Sequence, residues 1–562
     1  MNSINLPWSA ALVTLNPFDD PFYYLTNFEQ ALAWLAERYG DLLVAEELDF
    51  ICAFGQLPKP SRALLVRLIM RKGVHFRQGK LSYAEIPEVA EAAAPLIDLG
   101  WLDCHAPLTL DALFALLQKP EIVQVFKASI PHATLKKTAL FEALAPLFPQ
   151  AQPFDQWCPA LVEQLLTLTL RPLCDRLRLM YFGNLYQDWS EFVLADLGVL
   201  SYEKVEFSAQ SRGLRSRADI DAYLYLQACR EAFESAVPVA EVLRLIESFG
   251  SDNPWLERRR DKLLFQLGQH CERQADWPTA RAIYSACVYR EARVRLIRVL
   301  EREGEYGAAL ALAEQAEQAP HNAAEYQQVQ RQLPRLQRKL GQMPRARSAV
   351  RPVERLDLEL VLCELPLSVE QRVQQHLDEA CGPVHYVENG LINSLFGLLC
   401  WPAIFAPLPG AFFHPFQSGP VDLLSDDFYP QRAELFANCL AELADGRYRQ
   451  TITERFKSKY GLQSPFVFWR LLSDELLEQA LDCLPAAHLQ LWFLRLLEDI
   501  KANRAGMPDL IQFWPGQHRY RMIEVKGPGD RLQDNQLRWL EFCATHGMPV
   551  TVCYVRWTPP CP

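Results

Sequence analysis

Between residues 61 and 81, apolar and basic side chains interleave at helical spacing. Leu64, Leu65, Leu68 and Ile69 recur three and four apart, which predicts an amphipathic helix. Arg62, Arg67, Arg71, Lys72, Arg77 and Lys80 share this stretch, which holds no acid, and Arg67 and Arg71 fall on one helix face. From Val74 to Ile86 the pattern shortens to that of a hairpin. A basic helix followed by a hairpin suits a winged-helix surface for phosphates. The plain alternative is a solvated helix face. Residues 1–105 read as mostly helical. Residues 106–150 read as two or three short helices, with Lys127, Lys136 and Lys137 near their ends.

Residues 151–340 read as a helical region, and from 215 onward it is rich in Ala, Arg and Glu. Trp277, Ala280, Ile283 and Ala286 align with Tyr306, Ala309, Leu312 and Gln315, each block after an amphipathic stretch (Lys262 to Arg273, Glu291 to Arg302). Small residues at fixed places let paired helices pack closely, as in tetratricopeptide-type stacks. Such stacks are scaffolds, so no chemistry is expected there. Residues 341–385 read as a Pro- and Arg-rich linker, to Pro352, and a connecting helix. Leu391 to Phe413 is uncharged and long enough to span a bilayer. Pro402, Pro407 and Pro409 would break a spanning helix, so it is read as buried core.

The last sixty residues change period twice. Pro508 to Trp514 is strand-like, Pro515-Gly516 makes a turn, and Tyr520 to Lys526 alternates as a strand until Gly527-Pro528-Gly529 stops it. A helix is predicted from Asp530, capped with Gln533, its apolar face Leu532, Leu537, Leu540 and Cys543, ending at Gly547. Pro549 to Trp557 is a further strand. The order is that of a compact α/β core.

Composition narrows the function classes. The chain has 562 residues and a net charge of −11, which excludes a uniformly basic nucleic-acid coat but not local basic patches. Fifteen cysteines include no CxxC pair, so a zinc finger is not expected, and reduced thiols in a cytoplasm are the simpler reading. Met1 to Leu15 lacks the basic flank and apolar core of a signal peptide. A soluble protein with no membrane contact is expected.

Candidate chemistry lies in the C-terminal hairpin. Residues i and i+2 share a strand face, so Glu524 and Lys526 project together and Val525 points away. The hairpin can bring Asp509 beside Glu524. Two carboxylates at close range repel unless a proton or cation lies between them, and hard divalent ions prefer such oxygen ligands. A lysine nearby can hold attacking water or transition-state oxygens. The plain alternative is a surface hairpin with an ordinary ion pair.

Pro508-Asp509 followed by Glu524-Val525-Lys526 resembles the PD-(D/E)xK nuclease superfamily. With Gly506-Met507, Leu510, Gly527-Pro528, Asp530-Arg531-Leu532 and Gln536, the string resembles a VRR-NUC domain. Upstream, Glu388-Asn389-Gly390-Leu391-Ile392-Asn393, Gly410-Ala411-Phe412-Phe413 and Pro420-Val421-Asp422-Leu423 resemble the Fanconi-associated nuclease family. Residues 62–72 are similar to that family's N-terminal region, and Leu108 to Leu144 to its SAP DNA-binding module.

The resemblance implies a multidomain, mainly α protein. It would carry a helical, winged-helix-like DNA-binding region (1–105), a SAP-like module (106–150), TPR-like repeats (151–340), the linker and helix (341–385), and an α/β nuclease domain with a mixed sheet flanked by helices (386–562). It implies cleavage of branched, 5′-flap double-stranded DNA, 5′-to-3′ degradation with one or two Mg²⁺ or Mn²⁺ ions, and a role in interstrand cross-link repair. Glu388, Asp509, Glu524 and the Val525 carbonyl would be metal ligands, and Lys526 the catalytic lysine. Gln536 faces the site or the core. Asp422 stands beside the ligands or is structural, and His385 and His414 are structural. A cap at a helix start is the other reading of Glu388.

The cysteine spacing leaves no ubiquitin-binding zinc finger of the animal kind. That fits a bacterial-type, monomeric member in the cytoplasm. Asn535 stands where some relatives place a basic phosphate contact. Candidate DNA contacts are Arg62, Arg67, Arg71, Lys72, Lys80, Lys136, Lys137, Lys501, Arg504 and Arg531. Residues 501–531 hold six basic side chains against three acids, two of them the proposed ligands. The alternatives are a DNA-end-binding scaffold with a relic nuclease fold, and a Holliday-junction-type resolvase.

Overall fold

The computed structural model describes residues 20–130, 132, 134–161, 163–191, 200–344, 352–361 and 367–558. The N-terminal segment read against a signal peptide and most of the expected linker lie outside them. Two compact units divide the chain: one runs to Ser201 and takes in Ser208–Ile220, the other comprises Tyr202–Phe207 and everything from Asp221 onward.

In the first unit the expected basic helix is Lys59–Ile69, opened by Pro60 in its first turn, where a missing N–H costs nothing. Ala63, Leu64, Leu65, Val66 and Leu68 are fully buried. The hairpin expected over Val74–Ile86 does not form. Only β1 (His75–Arg77) is a strand there, ended by a 3-10 turn at Gln78–Lys80, and Tyr83 and Ile86 share just an isolated bridge. The partner of β1 is β3 (Leu165–Leu168), which also pairs with β2 (Leu102–Asp103), giving an antiparallel sheet in the order β1-β3-β2. All four residues of β3 are buried. With no polar alternation it left no strand period to read.

The module between β2 and β3 has its own core, running from Leu108, Leu113 and Ile122 through Leu140 and Leu144 to Phe154, Trp157 and Cys158. Thr109 caps its first helix, Leu110–Leu116, by accepting from Ala112 N at 3.2 Å. Arg77 is buried where strand and module meet, between Glu121 (2.8 Å) and Glu163 (2.6 Å).

In the second unit, antiparallel helices fill residues 239–339. Trp277 opens helix Trp277–Ala286 and Tyr306 opens Tyr306–Gln318, and the aligned Ala280 and Ala309 are fully buried where neighbouring helices approach. Of the other aligned positions Ile283 is buried, whereas the last pair, Ala286 and Gln315, is exposed.

The C-terminal core is built on a five-stranded sheet in the order β4-β8-β7-β6-β5: β4 (Glu354–Val361), β5 (Val384–Tyr386), β6 (Leu510–Trp514), β7 (Arg519–Lys526) and β8 (Val550–Thr558). β4 and β7 lie parallel to β8, while β5-β6 and β6-β7 are antiparallel. β4 comes from the region read as linker and connecting helix. Its alternation of Leu356, Leu358 and Leu360 with charged residues marks an edge strand. Tyr520 and Met522 face one core and Ile523 and Val525 the other, as strand alternation requires. The uncharged run becomes the short buried helices Leu391–Leu399 and Trp401–Ile404 in the first of these cores. Among the described residues no helix is long and apolar enough to cross a membrane.

The C-terminal helix is Asp534–Thr545. It begins four residues later than expected, with Gln533 as its cap. Asp530 instead accepts from Gly527 N at 3.0 Å and tightens the glycine turn. The last repeat helix, Ala323–Lys339, braces this helix: Arg331 grips Asp534 through two bonds of 2.6 and 2.7 Å, and Arg538 donates to Gln327 at 2.8 Å.

Candidate active site

Three carboxylates and a lysine gather where β5, β6 and β7 run side by side. Asp509 immediately precedes β6, and its Oδ2 accepts from Val525 N at 2.8 Å, so the hairpin register sets it beside Glu524. Lys526 Nζ lies 2.7 Å from Glu524 Oε1, two residues along the same strand face. Glu388 reaches the site from the turn after β5: the amides of Val387 and Glu388 both donate to the Asp509 carbonyl, at 2.8 and 3.1 Å.

Burial sets the electrostatics. Glu524 is 0% exposed, and neither carboxylate oxygen is met by a hydrogen-bond donor in good geometry among the described residues. Burial, then the Asp509 charge, push its pKa up to about 8, against the pull of Lys526. Asp509 is raised to about 6 by burial, opposed by the Val525 amide and Lys526 and reinforced by Glu388 and Glu370. Two buried carboxylates that share one lysine as counter-charge still repel unless a proton or a further cation lies between them, so the donor set fits a hard divalent ion. No three ligating side chains among the described residues close on a common point. The Glu388 oxygens accept instead from Tyr386 Oη and from Asn389 Nδ2, the latter at 3.2 Å.

Glu388 caps nothing: the following helix, Leu391–Leu399, has no side-chain cap. Gln536 is half-buried at the third position of its helix, where its Oε1 accepts from Gln533 N at 2.9 Å. It is a capping residue rather than a buried core amide. Asp422 belongs to a buried ion pair with Arg432, bonded at 2.7 and 3.0 Å, which is the structural reading. His414 is fully enclosed, and burial holds it down to about 3. His385 Nε2 bonds Gln479 at 2.8 Å.

The basic candidates divide by what already holds them. Arg62 pairs with Glu29, Arg67 with Glu85 at 2.6 Å, and Lys501 with Glu291 at 2.5 Å. Lys137 donates to the Leu117 carbonyl at 2.8 Å, and Arg504 to the Pro465 carbonyl at 3.1 Å. Arg71, Lys72, Lys80, Lys136 and Arg531 are exposed. The stretch 61–81 holds no acid, but Glu85, shortly after it, and Glu29, some thirty residues before it, neutralise two of its arginines.

Three residues beside the carboxylates had no role in the sequence reading. Tyr386 ends β5 two residues before Glu388, and its hydroxyl donates to Glu388 Oε2. Asn389 precedes a glycine, the dipeptide of a left-handed turn, and has φ +50°. Glu370 left no signal, because only the fold brings helix Val369–Leu377 to the site. Gly506 has φ +94°, and a Cβ there would lie 2.8 Å from Asn535. Gly506→Ala is expected to cost about 1–3 kcal/mol and shift the turn that carries Asp509, read as a lower midpoint in thermal unfolding.

The comparisons with known proteins match this arrangement. The model described as "FAN1, HTH domain" matches residues 22–103, "Fanconi anemia-associated nuclease SAP domain" residues 107–157, and "VRR-NUC domain" residues 443–557. Strands β4 and β5 and Glu388 lie upstream of that last span yet complete its sheet and site. The Fanconi-associated nuclease 1 homolog of Pseudomonas aeruginosa is 59% identical over 538 residues, 96% of each chain. The homolog of Oryza sativa is 25% identical over 616 residues, 95% of this chain and 62% of the relative. A crystal structure of paFAN1 bound to DNA with a two-nucleotide 5′ flap and a gap superposes with a TM-score of 0.90, at 59% identity, covering 96% of this chain and 99% of that one.

Fold and site together define a hydrolase of nucleic acids, a nuclease built on a VRR-NUC domain, a class that suggests dependence on a divalent metal. The helix-turn-helix and SAP modules and the whole-length identity narrow it further. The chain belongs to the Fanconi-associated nuclease family.

Proposed function

We propose that this nuclease hydrolyses phosphodiesters in 5′-flap and other branched DNA with Mg²⁺ or Mn²⁺, continues 5′ to 3′, and acts as a cytoplasmic monomer, without a ubiquitin-binding finger, in interstrand cross-link repair. The substrate reading rests on the flap DNA bound by the 59%-identical structures. The observation that carries the chemistry is Glu524, wholly buried between Asp509 and Lys526, whose Nζ lies 2.7 Å from Glu524 Oε1.

Glu388, Asp509, Glu524 and the Val525 carbonyl would hold the metal, which when bound lowers the pKa of water and offsets charge growing on the phosphate. Asp509 is already oriented by the Val525 amide. Lys526 keeps its ammonium at the carboxylates, where it can orient water or hold a phosphate oxygen once Glu524 turns to a cation. The buried strand face excludes bulk water, so these charges act in a low dielectric. Arg71, Lys72, Lys80, Lys136 and Arg531 are the exposed cations available to phosphates. Lys501, bound to Glu291, is less suited to a 5′-phosphate contact.

The test is cleavage of end-labelled DNA in Mn²⁺. A 5′ flap is expected to be cut at least about tenfold faster than blunt duplex, near the junction, and EDTA to abolish it. Paired symmetric cuts in a four-way junction with an inert flap would favour the resolvase reading. Tight binding without cutting would favour the scaffold.

A further inference from the structure

One amide side chain joins the segments that carry Glu388 and Asp509. Asn389 Oδ1 accepts from Gly506 N at 2.7 Å and from Met507 N at 3.0 Å, in the turn just before Asp509. Its Nδ2 donates to Glu388 Oε1 at 3.2 Å. The two accepted amides fix which end of the side chain is oxygen, and so leave the –NH₂ for the carboxylate. Asn389 is itself anchored: its carbonyl accepts from Asn393 Nδ2 at 2.6 Å, and that same nitrogen donates to the Arg504 carbonyl at 2.8 Å. Asn393 is buried, on helix Leu391–Leu399. The left-handed backbone at Asn389, φ +50°, turns its side chain back across the gap. Asparagine is the non-glycine residue best suited to that conformation.

We propose that Asn389 is a positioning residue for the metal site, setting the separation and orientation of Glu388 relative to Asp509. The inference rests on the metal reading above and extends it to a residue that touches no metal itself. The two ligands arrive from segments far apart in sequence, and beyond the β5–β6 pairing, backbone bonds to the Asp509 carbonyl and this amide tie them together. Groups that orient ligands tune metal affinity although they bind no metal. Asparagine alone supplies a double acceptor for the turn and a donor for the carboxylate. Aspartate keeps the first and loses the second, and glycine keeps the backbone conformation and loses both.

The test is Mn²⁺ binding to the full chain, followed by the electron paramagnetic resonance of free Mn²⁺, with metal-free thermal unfolding alongside. Asn389→Gly is expected to bind Mn²⁺ about 10- to 100-fold more weakly than wild type. Asn389→Asp keeps the acceptor for the turn but loses the donor to Glu388 and sets a like charge beside it, so it is expected to fall between wild type and Asn389→Gly. Wild-type affinity in Asn389→Gly overturns the proposal, and so does wild-type affinity in Asn389→Asp, which would show that the bond to Glu388 does nothing. If the wild type binds no Mn²⁺ at all, the metal reading itself has failed and the positioning role falls with it. Should Asn389→Gly not fold, amide exchange in the wild type decides: the Gly506 and Met507 amides must be protected and gain protection on adding Mn²⁺. Solvent-like exchange there overturns the role.

Discussion

An Asp509→Asn protein is expected to cleave DNA at least about a thousandfold more slowly than wild type while binding it as tightly. The substitution keeps the shape of the side chain and leaves an oxygen to accept from Val525 N, so the hairpin register is retained. What it removes is one charge from the oxygen set that would hold a cation. Glu524→Gln should behave alike, because the buried position then offers a neutral amide. Lys526→Ala should fall less, by about a hundred- to a thousandfold, as loss of one transition-state contact does. Binding should persist because the exposed cations lie on other segments. Single-turnover cleavage and fluorescence anisotropy on the same flap separate the two quantities. An Asp509→Asn protein that cuts within tenfold of wild type would remove this site from the chemistry.

Asp509 and Glu524 should make the metal-free protein less stable as pH rises, the reverse of the usual carboxylate behaviour. Asp509 at about 6 and Glu524 at about 8 both lie above their unfolded values, near 4. The folded state therefore holds more protons than the unfolded chain between those limits. The stabilisation is complete below about pH 4 and is lost as pH climbs through 6 and then 8. The loss should read as a drop of a few degrees in the unfolding midpoint. Mn²⁺ at pH 8 should restore it, since a cation takes over from the protons. Glu524→Gln, with nothing to ionise at that position, should flatten the upper part of the profile and be more stable than wild type at pH 8 without metal. Wild-type and Glu524→Gln profiles that run parallel from pH 6 to 8 without metal would contradict the burial of Glu524.

The carboxylate–lysine hairpin was legible because strand alternation fixes which side chains project together, and a tight turn fixes the register opposite Asp509. The repeat helices were legible for a similar reason: Trp277, Ala280 and their partners occupy packing positions that tolerate few residue types. What pairs across long stretches was not legible. β3 carries no alternation, and its partners lie some sixty and ninety residues earlier. Glu85 and Glu29 lie outside the basic window, so the pairing of Arg67 and Arg62 depends on tertiary structure. The start of the C-terminal helix slipped because Asp530 and Gln533 are both good caps, and the Gly527 turn claims the first. Asn389 was visible as part of a motif, but its reach to Gly506 and Met507 depends on how two remote loops meet.

The strand pairing around the SAP module also bears on how that module is attached. Asp103 at the end of β2 lies opposite Thr167 in β3, so the chain leaves and re-enters the sheet on adjacent antiparallel strands. Topologically the whole module is the loop of one β-hairpin, swollen into a domain with its own core. It is therefore a cassette held at both stems rather than a bead on a single thread. It can be exchanged or shortened without breaking the sheet that frames it, and it cannot swing freely, because any large rotation must shear two neighbouring strands together.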